Sequence, residues 1–533
     1  MTKSRVEDVL PLTPLQEGLL FHSLFDGRAP DVYTVQLGVD LDGTVAPAAM
    51  RAAARALIRR NPALRAAFRH EGVRRPVQVI AREVEAPFRE VDLRAFEEEE
   101  REARLNRLLT DERSRRFDLT RPPLFRLLLV HLGERSSRLV LTNHHILLDG
   151  WSMPLLLAEL FALYERSGDD SGLPAAVPHR AHLQWLADRD QAAARRAWSE
   201  ALAGFEEPTL LAPDTSGGTT GGAAGGASAL PEQVRAELRP GLTDALSALA
   251  RRLGVTVNTV IQGAWGLLLS RLTGRRDAVF GATASGRSPE LPGADRMIGL
   301  FINTLPVRVR WCPEESVAEV LNRLQEEQSR LLPHQHIGLT ELQLPTASGN
   351  LFDTIVVFEN YPLDRSVLNA VHGDVRLTGA EITDATHYPL ALFVIPGSRF
   401  LLRLDHQPAL IDPATADRLL KRLVGLLEAI VENPDQPVGR LDVLTPEERH
   451  DLLAGWNDTS LPVAEALVPE LFEAQVARTP DATALVCDDT VLSYAELNTR
   501  PNRLAHLLIE HGAGPEQLIA LALPRSADLV AAV

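Results

Sequence analysis

The chain has 533 residues, too many for one ordinary hydrophobic core, so the sequence predicts two to four domains. Its composition, with 45% hydrophobic and 24% charged residues, is typical of a soluble globular protein. A formal net charge of −16 disfavours non-specific binding to nucleic acid and to anionic membranes, because both require basic surfaces.

Cysteine content and the N-terminal sequence indicate the compartment. Cys312 and Cys487 are far apart, which argues against a disulfide framework and fits a reducing environment. The first residues, "MTKSRVEDVLPLTP", lack the apolar core of a signal peptide, and we find no apolar run long enough to span a bilayer. We therefore expect a cytoplasmic protein.

Helical and strand patterns alternate in the first third of the chain. "VAPAAMRAAARALIRRNPALRAAFRHE" predicts a helix that ends at Asn61-Pro62. "LFRLLLVHLG" and "SRLVLTNH" predict adjacent buried strands joined by the turn "GERSS". From Ser152 the pattern is helical, with Ser152 available as the N-cap.

The middle of the chain contains a glycine-rich segment, "APDTSGGTTGGAAGGASAL", at residues 212–230. It lacks the Gly-Lys-Ser/Thr ending of a phosphate loop, so we predict a flexible surface loop instead. Two helices and a series of strands follow. Pro434, Pro437 and Pro446 predict an interdomain linker, and a helix, strand, helix order after it predicts a further, incomplete domain.

The segment "RLVLTNHHILLDGWSMPLLLAEL" carries the candidate chemistry, with His144 and His145 at the end of a predicted strand. Adjacent residues on a strand point to opposite faces, so the two imidazoles cannot easily share a metal ion, and no other metal motif is present. Two interpretations remain equally supported by spacing. The histidines either make structural hydrogen bonds, or one of them acts in catalysis.

The catalytic interpretation uses the same alternation of side chains. If His144 points into the core, His145 points outward and can hydrogen-bond an incoming nucleophile. Asp149 lies four residues further on and could orient His145 or pair with a cation. Gly150 leaves room for a substrate that approaches closely.

The segment resembles the His-His-x-x-x-Asp-Gly signature of condensation domains of nonribosomal peptide synthetases. Related acyltransferases such as chloramphenicol acetyltransferase share much of that signature. Further segments resemble other condensation-domain motifs in the same order, with departures: Asn61-Pro62 replaces a usual histidine and its neighbour, and only Trp185 is retained from an aromatic motif. These segments are "PLTPLQEGLLFHSL", "RNPALRAAF", "HRAHLQWL", "IGLFINTLPVRV", "LPHQHIGLTELQ" and "THYPLALFVIPG".

This resemblance covers residues 8–440, and the tail "LSYAELN" resembles the first core motif of an adenylation domain. It implies an α/β (α+β) fold of two chloramphenicol-acetyltransferase-like lobes, set in a V as a pseudo-dimer. A tunnel between the lobes has the histidine motif at its middle. The implied divisions are a possible docking segment at 1–10, lobes at 11–175 and 176–440, a linker at 441–465 and part of an adenylation domain at 466–533.

The resemblance also implies a reaction. Two carrier proteins dock at opposite mouths of the tunnel and insert phosphopantetheine thioesters, and the chain itself binds no cofactor or metal. The amine on the downstream acceptor carrier attacks the thioester carbonyl on the upstream donor carrier. His145 is the implied base or positioner of the amine.

Roles for the remaining site residues follow from the same resemblance. Asp149 is implied to form a structural ion pair with Arg287, and His144 to be a supporting residue. Gly150 and Trp151 are implied to shape the tunnel. Asn303 lies either near the channel or in ordinary strand-end hydrogen bonding.

Several functions share this fold. An epimerisation domain is disfavoured by the adenylation-like tail, and a heterocyclisation domain by the intact histidine pair. A non-catalytic recruitment platform remains an alternative, although such platforms usually degrade the motif. The motif sequences further resemble the subclass that accepts a donor ending in a D-residue. If Met1 is the natural start, we expect the donor carrier on another polypeptide, with residues 2–10 as a docking segment.

Overall fold

The computed structural model describes residues 5–25, 31–212, 230–342, 351–360, 371–463 and 465–533. Tertiary contacts divide the chain into two compact units, Met1–Glu448 and Arg449–Val533. Most of the predicted glycine-rich loop, residues 213–229, lies outside the described residues.

Strands and helices alternate along the described chain. The strands are β1 (Val6–Pro11), β2 (Thr34–Asp42), β3 (Ala66–Arg69), β4 (Val77–Ala81), β5 (Phe88–Asp92), β6 (Phe125–His131), β7 (Ser136–His144), β8 (Glu232–Glu237), β9 (Asp277–Ala284), β10 (Asn303–Arg310), β11 (Thr354–Phe358), β12 (Val371–His372), β13 (Val375–Thr383), β14 (Leu390–Ile395), β15 (Leu401–His406), β16 (Thr483–Cys487) and β17 (Thr490–Ser493). The helices are α1 (Pro14–Phe25), α2 (Pro47–Arg60), α3 (Glu98–Ser114), α4 (Ser152–Glu165), α5 (Arg180–Ala187), α6 (Gln191–Ala201), α7 (Pro240–Leu253), α8 (Val257–Leu272), α9 (Val317–Leu331), α10 (Pro413–Glu432), α11 (Pro446–Leu453), α12 (Val468–Arg478), α13 (Tyr494–Glu510) and α14 (Ala527–Ala532).

The first lobe is built on a six-stranded sheet with the order β12-β13-β2-β7-β6-β5. Helix α2 begins with Pro47 in its first turn and ends before Pro62, as predicted, because proline suits a helix start and interrupts a helix interior. It buries Met50, Leu57 and Ile58 in the core of this lobe. The predicted hairpin is confirmed, since β6 and β7 pair antiparallel.

The second lobe is built on another six-stranded sheet, with the order β10-β9-β11-β14-β15-β8. Helices α7, α8 and α10 contribute to its main core, in which Trp265 is fully buried. By length and composition alone α7 and α8 could form a broken membrane span, but they meet at 100°, and among the described residues no single helix is long and apolar enough to cross a membrane.

The two lobes exchange chain segments, which a division at residue 175 does not anticipate. Strand β13 pairs with β2, so residues 371–383 belong to the sheet of the first lobe although they follow four strands of the second. Ile298 and Leu300, from the loop between β9 and β10, are likewise buried in the core of the first lobe. This exchange brings residues distant in sequence to the histidine motif.

The segment expected to serve in docking, residues 1–10, includes part of a paired strand. Residues 6–11 form β1, which pairs antiparallel with β4 in a three-stranded sheet of order β1-β4-β3. Asp8 also forms an ion pair with Arg180 at 2.8 Å. The backbone of this segment therefore belongs to the fold, while residues 1–4 lie outside the described part of the chain.

The first part of the predicted linker at 441–465 packs on the second lobe. Leu441 is buried in the core of the second lobe, and Arg422 holds Glu448 at 2.7 Å, so the compact unit extends to residue 448. In the second unit, α12, the antiparallel pair β16 and β17, and α13 follow one another, as the predicted helix, strand, helix order requires.

Candidate active site

The histidine motif lies where β7 ends, and the two histidines have different environments. His144 is the last residue of the strand, pairs in register with Thr34 of β2 and is fully buried. His145 follows it and is partly exposed, while its backbone N–H donates to the carbonyl of Tyr33 at 2.8 Å. The predicted alternation, with His144 inward and His145 outward, is therefore present.

A buried network fixes His144. Its Nδ1 accepts the backbone N–H of Ile146 at 3.1 Å, and its Nε2 lies 3.1 Å from both Asp31 Oδ2 and Ser23 Oγ. A neutral imidazole with Nδ1 as acceptor carries its hydrogen on Nε2, so His144 donates toward Asp31. Burial raises the pKa of Asp31, but its interactions with His144, the Tyr33 N–H and Arg116 together outweigh burial, and the net pKa is lowered.

The imidazole of His145 is held less tightly. Its Nδ1 is buried and has no hydrogen-bond partner among the described residues. A neutral imidazole needs one donor and one acceptor interaction, so this ring has hydrogen-bonding capacity that the protein does not use. Because Nδ1 is buried, a substrate could meet this residue only through its exposed part.

Asp149 ties the motif to the second lobe. Its Oδ1 accepts from Arg287 Nη2 at 3.0 Å and from the Ser152 N–H at 2.8 Å, and its Oδ2 accepts from the Phe301 N–H at 3.0 Å. Its own N–H donates to the carbonyl of Gly299 at 3.1 Å. The carboxylate therefore pairs with a cation, Arg287, and makes no hydrogen bond to His145. Of the two roles considered for Asp149, these contacts support the ion pair.

Arg287 is enclosed by the loop between β9 and β10. Its Nη1 donates to the carbonyls of Ala294 and Met297, and its guanidinium lies 4.0 Å from the centre of the Phe301 ring. Burial lowers the pKa of Arg287, and Asp149 opposes that effect. These contacts satisfy a charge that would otherwise be costly inside the protein.

Ser152 has a role that the sequence did not indicate. The sequence predicts Ser152 as the N-cap of α4. In the structure Ser152 is instead the first residue of the helix, and its N–H donates to Asp149. The hydroxyl donates to the carbonyl of Gly299 at 2.7 Å and accepts from the Gly299 N–H at 3.1 Å and from Arg287 at 2.9 Å. Ser152 thus joins the two lobes beside Asp149.

The other predicted site residues lie around this junction. Gly150 and Trp151 are partly exposed, and Trp151 Nε1 donates to the carbonyl of Asp295 at 3.2 Å. Asn303 lies at the start of β10, where its Nδ2 donates to the carbonyls of Gln335 and Ile337 at 2.9 and 2.7 Å. The strand-end alternative for Asn303 is the one that these contacts support.

A second contact region, which the sequence did not indicate, involves Tyr33, whose backbone carbonyl accepts the His145 N–H. The hydroxyl of Tyr33 is 2.7 Å from Nδ1 of His387, and the His387 ring stacks on His22 with centroids 4.2 Å apart. His22 and His387 belong to two of the motifs, but 365 positions separate them, so neither motif could predict the contact. Within the described ranges, no group of three or more His, Cys, Asp or Glu residues could hold a metal ion.

Family models match most of the chain. The model described as "Condensation domain" matches residues 6–453, and the model described as "AMP-binding enzyme" matches residues 472–533. The first match covers more than half of the chain and contains every candidate site residue.

Curated relatives are multidomain synthetases. The chain is 38% identical, over 99% of its length, to one of the linear gramicidin synthase polypeptides of Brevibacillus parabrevis. It is 32% identical to surfactin synthase subunit 3 of Bacillus subtilis (strain 168), also over 99% of its length. The chain spans 7% of the first relative and 41% of the second, so it corresponds to one portion of each.

Solved structures share the fold. The first condensation domain of the calcium-dependent antibiotic synthetase, in complex with a substrate analogue, matches with a TM-score of 0.66 at 22% identity, covering 83% of this chain and all of that one. A four-domain nonribosomal peptide synthetase bound to AMP and glycine matches with a TM-score of 0.74 at 17% identity, covering 96% of this chain and 40% of that one. The predicted α/β fold class is confirmed.

Proposed function

The chain belongs to the condensation-domain family, followed by the start of an AMP-binding domain, and we propose that it forms a peptide bond between two carrier-bound thioesters. Condensation domains of nonribosomal peptide synthetases are acyltransferase-type enzymes that catalyse peptide-bond formation. The relatives over the whole chain are peptide synthetases, which supports the same class of reaction here.

The observation that carries this proposal is the state of His145. His145 is partly exposed, and its buried Nδ1 has no hydrogen-bond partner among the described residues, while His144 and Asp149 beside it are held in buried networks. Rigid neighbours around one uncommitted imidazole are the arrangement that substrate positioning requires.

The reaction needs a neutral amine aimed at a thioester carbonyl. The amine nitrogen of the acceptor attacks the donor carbonyl carbon, the C–N bond forms, and the C–S bond breaks. The thiolate leaves on the donor carrier and takes up the proton that the amine loses. We assign His145 to hydrogen-bond the amine and to accept or guide that proton, which also fixes the direction of attack.

Both substrates arrive on carrier proteins. Phosphopantetheine arms supply the two thioesters, and holding both arms in one site raises their effective concentration. Condensation domains act together with carrier domains, so an upstream donor carrier and a downstream acceptor carrier are the proposed partners.

Intact-protein mass spectrometry tests the reaction directly. Loaded donor and acceptor carriers are mixed with the purified chain, and we expect the donor's acyl mass to appear on the acceptor carrier. His145→Ala should remain folded and lose most of this transfer, and Asn303→Ala serves as a control beside the site. Transfer at the wild-type rate by His145→Ala would exclude the proposed role, and no transfer by the wild type would favour a recruitment platform.

The stereochemistry of the donor is a finer proposal. The motif sequences resemble the subclass that accepts donors ending in a D-residue, and inversion at the donor Cα would move the carbonyl off the line of attack. A misplacement of about 1 Å can cost on the order of 100-fold in rate. Matched donors ending in D or L, offered on one carrier, should react with preference for D. Equal rates would reject the subclass and leave the condensation reaction intact.

A further inference from the structure

Tyr33 contacts the histidine motif through its backbone carbonyl, and its other two polar groups contact residues around the motif. Its backbone N–H donates to Asp31 Oδ1 at 3.1 Å, and Asp31 Oδ2 in turn lies 3.1 Å from His144 Nε2. Its backbone carbonyl accepts the N–H of His145 at 2.8 Å. Its side chain is buried, and its hydroxyl is 2.7 Å from His387 Nδ1.

His387 lies in the segment that carries the chain from β13, in the first sheet, to β14, in the second. Its backbone carbonyl accepts from Nε2 of Gln407, which follows β15 of the second lobe. The His387 side chain therefore links the second lobe to Tyr33, and Tyr33 in turn holds the backbone of His145.

The chemistry of the pair suits a fixed contact. Burial lowers the pKa of His387 to about 3, and burial raises the pKa of Tyr33 well above its usual value. Both groups therefore stay neutral over the physiological range, so the hydrogen bond neither gains nor loses a proton during turnover. Such a contact can set geometry without taking part in proton transfer.

We propose that Tyr33 and His387 are positioning residues that hold His145 in place across the two lobes. This inference rests on the proposed condensation reaction. Asp149 and Arg287 join the lobes at the C-terminal end of the motif, whereas Tyr33 and His387 join them at its N-terminal end. The His145 loop is thus held at both ends, and loss of either support should displace its imidazole.

Substitutions can remove this hydrogen bond with little change in volume. Tyr33→Phe deletes the hydroxyl, and His387→Leu deletes the ring nitrogens. His387→Asn retains a polar group close to the position of Nδ1 and is the conservative variant. Tyr164→Phe is the matched control, because the Tyr164 hydroxyl is also buried in the first lobe and accepts one hydrogen bond, from the Ala46 N–H at 3.0 Å.

Steady-state transfer between loaded carriers gives the first readout. We expect Tyr33→Phe and His387→Leu each to lower kcat about tenfold with little change in KM, because misplacement of a reacting group costs rate rather than binding. The double variant should be no slower than the slower single variant, since both remove one contact. His387→Asn should recover most of the rate, and Tyr164→Phe should retain the wild-type kcat.

A second readout is independent of activity. In protein labelled with ¹⁵N-histidine, the His145 backbone amide signal, identified by its loss in His145→Gln, should shift in Tyr33→Phe and His387→Leu but not in Tyr164→Phe. If the wild type transfers no acyl group, the proposed function fails and this shift still decides the positioning role. Unchanged kcat in an active enzyme, additive losses, or an unmoved His145 signal would overturn the inference.

Discussion

Arg287 Nη2 lies 3.0 Å from Asp149 Oδ1, and both side chains are almost completely buried. One residue belongs to the histidine motif and the other to the loop between β9 and β10, so the pair joins the two lobes beside His145. Loss of one partner from such a pair leaves an uncompensated buried charge, at a cost of about 3–5 kcal/mol.

The first prediction concerns this ion pair. Asp149→Ala and Arg287→Ala should each lower the free energy of unfolding of the condensation domain by about 3–5 kcal/mol. The double variant should be less destabilised than the sum of the two, because it leaves neither charge unpaired. Urea unfolding of the four proteins in a double-mutant cycle measures the coupling.

Asp8 and Arg180 provide the matched control for that cycle. They are also an Asp–Arg pair, 2.8 Å apart, but the Arg180 side chain is 58% exposed. Solvent screening should reduce their coupling to about 0–1 kcal/mol. Equal coupling energies for the two pairs would contradict the role of burial in holding the lobes together.

The second prediction concerns His144 and Asp31. His144→Ala removes the main hydrogen-bond donor to a buried carboxylate, which should cost about 1–3 kcal/mol of stability. In wild type the net pKa of Asp31 is lowered, so its contribution is present above its ordinary pKa and is lost only as the pH falls through the lowered value. In the variant, only the Tyr33 N–H and Arg116 still oppose burial, so the pKa of Asp31 should rise.

The sign of the pH dependence follows from this change. The destabilisation by His144→Ala should be larger at pH 8 than at pH 5, because Asp31 is charged at the higher pH and can be protonated at the lower one. Chemical unfolding at both pH values measures it. Adding Asp31→Asn should abolish the difference between the two pH values. A penalty that is independent of pH would mean that His144 acts through packing alone.

Local patterns in the sequence predicted the elements of this fold but not the contacts between distant ones. Helix α2 and the β6–β7 hairpin depend on neighbouring residues, so proline position and apolar runs were sufficient. The exchange of β13 into the first sheet depends on pairing with β2, more than 300 positions away, and no local pattern specifies that pairing.

The candidate site was predictable to a similar degree. Burial of His144, partial exposure of His145 and proximity of Asp149 to Arg287 agree with the expectations from alternation and resemblance. Tyr33, Ser152 and His387 were missed because each acts through a contact with a residue far along the chain. A tyrosine or serine alone gives no signal for such a role.

The third prediction concerns a buried acidic group in the second lobe. Arg403 Nη2 lies 2.7 Å from Asp384, and its Nε lies 3.0 Å from Asp405 but outside hydrogen-bond geometry. The pKa values of Glu359 and Asp405 are raised to about 7, mainly by burial and also by the charge of Asp384. Arg403 opposes the shifts, as does Arg235 at Asp405, and Arg113 lies near Asp384 and Asp405.

A carboxyl group whose pKa is raised by folding binds its proton more tightly in the folded state. Stability should therefore decrease as the pH rises from its ordinary pKa to about 7, and level off above that. Asp405→Asn and Glu359→Gln should each reduce the change in the free energy of unfolding between pH 5 and 8, by on the order of 2 kcal/mol. Asp412→Asn, at an exposed helix cap, should leave the slope unchanged. If all three variants kept the wild-type dependence of stability on pH, the raised pKa values of Asp405 and Glu359 would be contradicted.

The final prediction concerns Gly286, the residue before Arg287. Its φ is +64°, and a Cβ built there would lie 1.8 Å from the backbone carbonyl oxygen of Phe301, the residue whose N–H donates to Asp149. Gly274 is the matched control, since its φ is +69° and a Cβ there meets nothing within 4 Å. Alanine at either position incurs the strain of a left-handed backbone, about 1–2 kcal/mol.

Gly286→Ala must also displace the loop that carries Arg287 and Phe301, so it should cost at least about 2 kcal/mol more than Gly274→Ala. It should also reduce acyl transfer, which Gly274→Ala should leave intact. Thermal unfolding and the carrier assay compare the two variants, and equal losses would mean that backbone conformation, and not the close approach to Phe301, requires glycine at residue 286.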